Sequence, residues 1–262
     1  MTENNTETAA GPEPKIIVRN LSKAFGSNVV LDGIRLTLKA NESLAIIGGS
    51  GSGKSVLIKC MLGLIAPDKG NIWIQKQEVT KLSSYERQQV MHRFGMLFQG
   101  GALFDSMTVA DNIAFGLIQG RGMDSKSARK IALEKLDAVD LSSSVADVYP
   151  AELSGGMQKR VALARAIAAN PEIIFFDEPT TGLDPIVSGT INQLIRRCVK
   201  DLGASTITIT HDIKSLRKIA DRVGLLFKGK LIWTGTIAEM DSTDNPYVYQ
   251  FINGLPEGPF TQ

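Results

Sequence analysis

The feature that most constrains this chain is a glycine-rich segment between an apolar strand pattern at residues 44–47 and a helical pattern at residues 56–62. The segment has the spacing of a phosphate-binding loop, and its residues are Gly48, Gly49, Ser50, Gly51, Ser52, Gly53, Lys54 and Ser55. Glycines let successive N–H groups converge on phosphate oxygens, and the helix start adds unpaired donors. The pattern predicts binding of a nucleoside triphosphate, with Lys54 on the β- and γ-phosphates and Ser55 on Mg²⁺.

Composition and charge exclude several other classes. With 262 residues, of which 43 % are hydrophobic, the chain is long enough to bury a sizeable core. A net charge of +2 is too balanced for a nucleic-acid-binding protein. Two cysteines make neither a disulfide framework nor a zinc site, so a reducing cytoplasm is expected. We expect no membrane-spanning segment, no signal peptide and a disordered tail over residues 1–14.

Polar side chains end three predicted strands. Gln99 follows residues 94–98, Asp177 and Glu178 follow the apolar run 173–176, and His211 follows residues 206–210. Adjacent carboxylates at a strand end point to opposite sides, so that one can face a metal and the other a water. The alternative is that these acids only cap a strand within a turn. For His211 the functional and structural interpretations are equally supported.

A second helix start resembles the first in its chemistry. Ser154, Gly155 and Gly156 precede a helical pattern over residues 157–169, which predicts a second anion site. One nucleotide does not need two such sites, so we expect sites shared between two chains. Phe25 lies in a predicted turn, residues 22–28, before the phosphate loop. Its ring fits a core contact and stacking on a purine base equally well.

In their order along the chain these residues resemble the ATPase subunit of ABC transporters, from about Lys15 onward. The most specific motif is Leu-Ser-Gly-Gly at residues 153–156, about twenty residues before the acidic pair. The resemblance implies an α/β P-loop NTPase fold of the ABC ATPase type, with a RecA-like core lobe, an antiparallel β subdomain and a helical lobe at about residues 100–170. It also implies an ATPase domain over residues 15–242 and a C-terminal docking tail over residues 243–262. Phe25 stands where tyrosine is commoner, and Met157 where glutamine is.

The resemblance further implies roles for individual residues. Glu178 orients or deprotonates the attacking water, His211 contacts the γ-phosphate, and Gln99 assists. Mg²⁺ is positioned by Ser55, Gln99 and, through water, Asp177. Two copies close head to tail, so that ATP lies between two sets of residues. The set on the chain holding the nucleotide is Phe25, Gly48, Gly49, Ser50, Gly51, Ser52, Gly53, Lys54, Ser55 and Val56, and the set on the opposite copy is Ser154, Gly155, Gly156 and Asp184.

A narrower resemblance is carried by the loop at residues 98–106 and the tail at residues 247–254. Both look like the ATPase of Mla-type systems, which move phospholipids between the inner and outer membranes of bacteria. This implies a peripheral location on the cytoplasmic face of the inner membrane, a multi-pass permease, an MCE-type substrate-binding protein and a STAS-domain protein. In this family the loop receives the permease; an ordinary buried loop is the alternative. The tail is expected to dock on its own chain or on a partner.

Two alternative functions remain open at this point. The ATPase of a polar amino-acid importer shares every catalytic motif, and only the loop and the tail argue against it. A soluble ABC ATPase without a transport role is less well supported, because the chain has neither a long coiled-coil insertion nor tandem copies of the motifs.

Overall fold

The structure, a computed structural model, describes residues 13–261. The tail predicted to be disordered therefore lies almost wholly outside the described residues. The described chain forms two sheets whose strands are β1 (Ile16–Phe25), β2 (Asn28–Leu38), β3 (Ser43–Ile47), β4 (Lys69–Ile74), β5 (Gln77–Glu78), β6 (Phe94–Leu97), β7 (Ile173–Asp177), β8 (Ser205–Ile209), β9 (Arg222–Phe227) and β10 (Lys230–Thr236).

Helices cover both faces of the larger sheet. They are α1 (Lys54–Met61), α2 (Ser84–Met91), α3 (Val109–Phe115), α4 (Ser125–Ala138), α5 (Gly155–Ile167), α6 (Pro185–Leu202), α7 (Ile213–Ile219), α8 (Ile237–Asp241) and α9 (Pro246–Asn253). A π-helical segment, Gly116–Gly120, continues α3, and two 3₁₀ turns, Ser143–Val145 and Pro150–Glu152, precede α5. Within the described residues no helix is long and apolar enough to cross a membrane.

The core sheet brings the predicted strand ends to one edge. Its order is β10-β9-β3-β8-β7-β6, and all neighbours are parallel except β9 and β10. The apolar run of β7 is buried on both faces, as parallel strands between helices require: Phe176 packs with the α3–α5 side and Phe175 with the α1 side. Asp177 is in register with Ile209 of β8, which in turn pairs with Ile46 of β3. The residues that follow these three strands therefore lie side by side.

The smaller sheet is antiparallel, in the order β2-β1-β4-β5, and shares a core with α1. The turn predicted over residues 22–28 is wrong, because β1 continues to Phe25 and only Gly26 and Ser27 turn. Polar groups of that stretch form hydrogen bonds with neighbouring segments. Ser22 Oγ accepts from Gly33 N–H of β2, and the Asp68 side chain, just before β4, accepts from Ala24 N–H. Irregular register between β1 and β2 accommodates them.

The region between β6 and β7 is helical and has its own apolar core. Helices α3, α4 and α5 pack together through small and branched side chains, among them Ala128, Ala132 and Val161, all fully buried. This is the helical lobe of the predicted fold. The bounds given to it and to the domains stay predictions.

The C-terminal tail packs on its own chain in this structure. Val248 of α9 is fully buried, and the rings of Tyr247 and Phe260 lie 5.2 Å and 4.6 Å from Phe227 at the end of β9. The tail of the described chain thus contacts the end of β9, and docking on a partner stays a prediction.

Candidate functional site

The phosphate loop joins β3 to α1 and is packed on one side only. A Cβ at Gly48, where φ is 153°, would lie 2.2 Å from the carbonyl oxygen of Leu226. A Cβ at Gly53, where φ is 105°, would lie 2.7 Å from the carbonyl oxygen of Val30. At Gly49 and Gly51 a Cβ would meet nothing within 4 Å. The loop is thus pressed onto β2 and β9 and leaves its other side open for a ligand.

The start of α1 differs from that of every other described α-helix. The other eight begin with a side chain that accepts a hydrogen bond from the first turn, namely Ser83, Thr108, Asp124, Ser154, Asp184, Asp212, Thr236 and Asn245. Helix α1 begins after Gly53, without a side-chain cap or an acidic residue in its first turn. Its first N–H groups are therefore left for an anion, which the positive end of the helix dipole favours.

Lys54 lies between the loop and the acidic pair. Its Nζ donates to the carbonyl oxygens of Gly48 at 2.7 Å and Gly49 at 2.8 Å. Burial lowers the pKa of Lys54, while the nearby Glu178 and Asp177 carboxylates oppose that change. A lysine in this position can exchange the two carbonyl contacts for phosphate oxygens.

Glu178 is held in an uncommon backbone conformation. Its φ is 50°, in the left-handed region, and its N–H donates to the carbonyl oxygen of Ile209 at 2.9 Å. Thr181 Oγ1 donates to Glu178 Oε2 at 2.9 Å, and His211 Nδ1 lies 2.8 Å from Glu178 Oε1. A non-glycine residue in this conformation has backbone strain of order 1 kcal/mol, which persists only where neighbouring contacts hold the residue in place. Such residues are common at functional sites. The structure thus brings Glu178 and His211 into direct contact.

Asp177 is the acidic residue predicted to lie near Mg²⁺. Burial and then the Glu178 charge raise the pKa of Asp177, against the opposing charges of Lys59, Lys54 and Lys159. In the part of the chain that the structure describes, no group of three or more His, Cys, Asp or Glu side chains could hold a metal. Mg²⁺ is usually bound through one or two carboxylates together with substrate phosphates. The predicted oxygen donors of Ser55, Gln99 and Asp177 suit that arrangement.

The loop after β6 is held by side chains of the helical lobe. Lys159 Nζ donates to the backbone oxygen of Gln99, and Arg165 donates to the backbone oxygens of Gly101 at 2.6 Å and Ala102 at 2.8 Å. The buried Asn112 donates to the Phe104 carbonyl oxygen at 3.0 Å and accepts from Phe104 N–H at 2.7 Å.

Two aromatic rings of this loop remain at the surface. The residues are Phe98 and Phe104, and each is 41 % exposed. The structure therefore differs from the alternative of an ordinary buried loop.

The residues predicted to act from the opposite copy form a separate group. Ser154 Oγ accepts from Met157 N–H at 3.3 Å, so one of the donors expected to be free is taken by the helix's own cap. A Cβ at Gly156 would lie 2.9 Å from Val187 in α6. Asp184 caps α6, accepting from the N–H groups of Ile186 and Val187 at 2.9 Å and 3.0 Å.

The aromatic residue before the phosphate loop is not a core residue. Phe25 is 49 % exposed, and Lys23 Nζ lies 5.5 Å from the ring centroid. The β1–β2 hairpin that carries this ring also carries Val30, which borders Gly53. The core-contact interpretation is therefore wrong, and a stacking role stays a prediction.

Two residues of the site do not stand out in the sequence. Thr181 binds the Glu178 carboxylate, and Lys159 binds Gln99 from a helix that begins about sixty residues later in the chain. A hydroxyl three residues after an acid is too common to single out Thr181. Lys159, five residues after Ser154, lies inside the predicted helix and belongs to no distinguishing pattern.

Comparisons with known proteins agree with this geometry. The sequence profile described as ABC transporter matches residues 31–181. The chain is 40 % identical to the intermembrane phospholipid transport system ATP-binding protein MlaF of Haemophilus influenzae, over 93 % of this chain and 92 % of the relative. It is 39 % identical to the probable ribonucleotide transport ATP-binding protein mkl of Mycobacterium tuberculosis, over 93 % of this chain and 68 % of that protein.

A solved structure shares the fold. It is a dimeric ATP-binding cassette in a post-hydrolysis state bound to ADP and Pi, and it matches with a TM-score of 0.77 and 32 % sequence identity. The match covers 85 % of this chain and 98 % of the cassette.

Proposed function

Because this chain belongs to the ABC transporter family, we propose that it is the ATP-hydrolysing subunit of a transporter that moves phospholipids between two membranes. The main observation in support of the ATPase mechanism is that four residues lie together at one end of the core sheet, namely Lys54, Asp177, Glu178 and His211. The phospholipid cargo is supported by the likeness to MlaF over nearly the whole chain.

In the proposed mechanism the chain positions ATP and stabilises charge. The N–H groups of the phosphate loop and Lys54 hold the phosphates, and Phe25 and Val56 contact the rest of the nucleotide. Glu178 orients the attacking water or takes its proton, and His211, fixed beside it, reaches the γ-phosphate. Bound Mg²⁺, held by Ser55, Gln99 and, through water, Asp177, would offset the phosphate charge.

The second half of each nucleotide site is proposed to come from another copy. Ser154, Gly155, Gly156 and Asp184 form their own group at the starts of α5 and α6. The related cassette is dimeric, which supports a head-to-tail pairing of these residues with the phosphate loop.

The surface loop after β6 is the proposed contact with a multi-pass permease. Its exposed rings, Phe98 and Phe104, lie on a backbone that Lys159, Arg165 and Asn112 hold in place. An MCE-type protein and a STAS-domain protein complete the proposed complex, on the cytoplasmic face of the inner membrane. No nucleic-acid partner is proposed, in keeping with the balanced charge.

A second candidate keeps the mechanism and changes the cargo. The likeness to mkl, whose name gives ribonucleotide transport, is almost as high as that to MlaF. Purification of the tagged full chain in mild detergent, with mass spectrometry of proteins and bound small molecules, separates the two. A permease with an MCE-type protein and phospholipid supports the first candidate. A ribonucleotide or amino-acid permease without bound lipid contradicts it.

The catalytic assignment has its own test. Glu178→Gln keeps the size of the side chain and removes the base, so ATP hydrolysis is expected to slow at least ~10²-fold while ATP binding persists. The measurement is single-turnover hydrolysis with a parallel nucleotide-binding titration. Near wild-type turnover in Glu178→Gln would exclude Glu178 as the base.

A further inference from the structure

A buried polar cluster lies behind the acidic pair, outside the residues assigned to ATP or Mg²⁺. Asn192 of α6, Ser215 of α7 and Thr180, two residues after Glu178, are 2 %, 2 % and 5 % exposed. Asn192 Nδ2 donates to Ser215 Oγ at 2.7 Å, and Ser215 Oγ donates to Asp212 Oδ2 at 2.5 Å. Thr180 Oγ1 lies 3.3 Å from Ser215 Oγ. One hydroxyl therefore joins three separate segments of the chain.

The direction of these hydrogen bonds follows from the chemistry of the groups. An ionised carboxylate only accepts, so the single proton of Ser215 points to Asp212. The lone pairs of Ser215 then accept from the Asn192 amide and from the Thr180 hydroxyl. Burial alone would raise the pKa of the Asp212 carboxyl, but hydrogen bonds from Ser215 and from Lys214 N–H outweigh it and hold the pKa below its usual range.

A cluster of this kind is costly in an apolar interior. Asn192 lies among buried neighbours in α6 that include Ile191, Leu194 and Ile195. Its Oδ1 accepts no hydrogen bond from the described residues. A buried unpaired oxygen costs free energy that an apolar residue of similar shape would avoid. Stability alone thus gives no reason for an asparagine at this position.

Both arms of the cluster end next to the catalytic pair. Thr180 adjoins Thr181, whose hydroxyl holds the Glu178 carboxylate. Asp212 adjoins His211 and caps the start of α7, and its N–H donates to Thr210 Oγ1 at 3.0 Å. Helix α6, which contributes Asn192, is the same helix that Asp184 caps. Movement of Ser215 would therefore shift the segment of Glu178 and the segment of His211 relative to each other.

We propose that Asn192 and Ser215 are positioning residues for hydrolysis: they tie the segment that carries His211 to the segment that carries Glu178 and anchor both on α6. Neither touches the nucleotide in this account. The proposal rests on the proposed roles of Glu178 and His211. Its effect should appear in the rate of hydrolysis and leave ATP binding, which belongs to the phosphate loop, unchanged.

The test uses the full chain and steady-state ATP hydrolysis. Ser215→Ala removes the shared hydroxyl and is expected to lower kcat about tenfold, with KM for ATP within about twofold of wild type. Asn192→Leu keeps the shape of the side chain and removes the unpaired oxygen. It should lower kcat about threefold while the unfolding temperature stays equal or rises, since a buried oxygen without a partner is removed. A simple structural defect would lower kcat and the unfolding temperature together.

Two further variants complete the series. Ser215→Thr retains the hydroxyl and should recover most of the rate that Ser215→Ala loses, which also covers the case in which Ser215→Ala folds poorly. Thr190→Val is the matched control on α6, because within residues 13–261 the Thr190 hydroxyl bonds only inside its own helix, to Ile186 O at 3.2 Å. Thr190→Val should hydrolyse ATP at the wild-type rate.

The outcomes separate this inference from the proposed function. Wild-type kcat in both Asn192→Leu and Ser215→Ala overturns the positioning role, and so does a loss of kcat that follows the unfolding temperature or is shared by Thr190→Val. The Glu178→Gln variant is measured alongside. If it is inactive while the cluster variants are normal, only the inference fails; if it is active, the catalytic assignment fails.

Discussion

The starts of α1 and α5 are built from similar residues and differ in how complete each is by itself. Glycine and serine residues lie at both starts, before α1 and, as Ser154, Gly155 and Gly156, at the first residues of α5, but α1 has no side-chain cap and α5 is capped by Ser154. Before α1, Gly48 and Gly53 are packed against β9 and β2. In α5 a Cβ at Gly155 would meet Leu183 at 3.7 Å, and a Cβ at Gly156 would approach Val187 to 2.9 Å. The uncapped start of α1 leaves N–H groups for the phosphates of a nucleotide that the same chain binds. A capped start at the surface can remain folded alone and meet a nucleotide that another copy holds.

The largest expected contrast is in stability, between glycines of the two regions. Gly48→Ala would place a Cβ 2.2 Å from a backbone oxygen at a φ of 153°, and should lower the free energy of unfolding by about 3 kcal/mol. Gly155→Ala has room and lies in a helix, so the folded chain should be unchanged or up to about 0.5 kcal/mol more stable. Urea unfolding of both variants checks this. Equal losses would show that the two loops are packed alike.

The next contrast is in ATP affinity. Lys54→Ala removes the cation that faces the phosphates, and should raise the Kd of the single chain for ATP by about 100-fold. Ser154→Ala should leave that Kd within about twofold, because this residue belongs to the opposite half of the site. The measurement is a nucleotide titration at a protein concentration that keeps the chain monomeric. A comparable loss in Ser154→Ala would mean that both motifs act on one nucleotide within one chain.

The smallest contrast depends on pH. Burial and the neighbouring Glu178 raise the pKa of Asp177 above its ordinary 3.8, so the folded chain binds this proton more tightly than the unfolded chain. The resulting stability is fully present below the unfolded pKa and is lost as pH rises through the folded pKa. Asp177→Asn cannot ionise, so without nucleotide its stability relative to wild type should increase with pH across that window. Thermal unfolding over a pH series measures it, and a difference independent of pH contradicts a raised pKa.

Features that depend on local spacing could be predicted from the sequence. The sequence pattern predicts Asp177 and His211 at the ends of strands, and in the structure Asp177 lies in register with Ile209, two residues before His211. The phosphate loop followed from its glycine spacing alone. The likeness to ABC transporter ATPases confirmed the predicted fold class.

Features that depend on distant parts of the chain could not be predicted. The contact of Ser215 with Asn192 joins α7 to α6, two helices that β8 separates along the chain, and neither residue belongs to a motif. The left-handed backbone of Glu178 accompanies a hydrogen bond from its N–H to the Ile209 carbonyl oxygen of β8, a partner thirty-one residues away along the chain. Similarly, the polar residues after Leu21 indicated a turn because their partners, Gly33 N–H and Asp68, lie far along the chain.

If each nucleotide site combines α1 of one copy with α5 of another, two inactive variants with defects in different halves of the site should complement each other. Lys54→Ala removes the lysine of the half formed by the phosphate loop and α1. Ser154→Arg blocks the half formed by the start of α5. Each variant alone should therefore hydrolyse almost no ATP. In a head-to-tail dimer, a mixed pair contains one site with both halves intact. ATP hydrolysis by the mixture should therefore recover part of the wild-type rate. A mixture as inactive as its components would contradict the shared site.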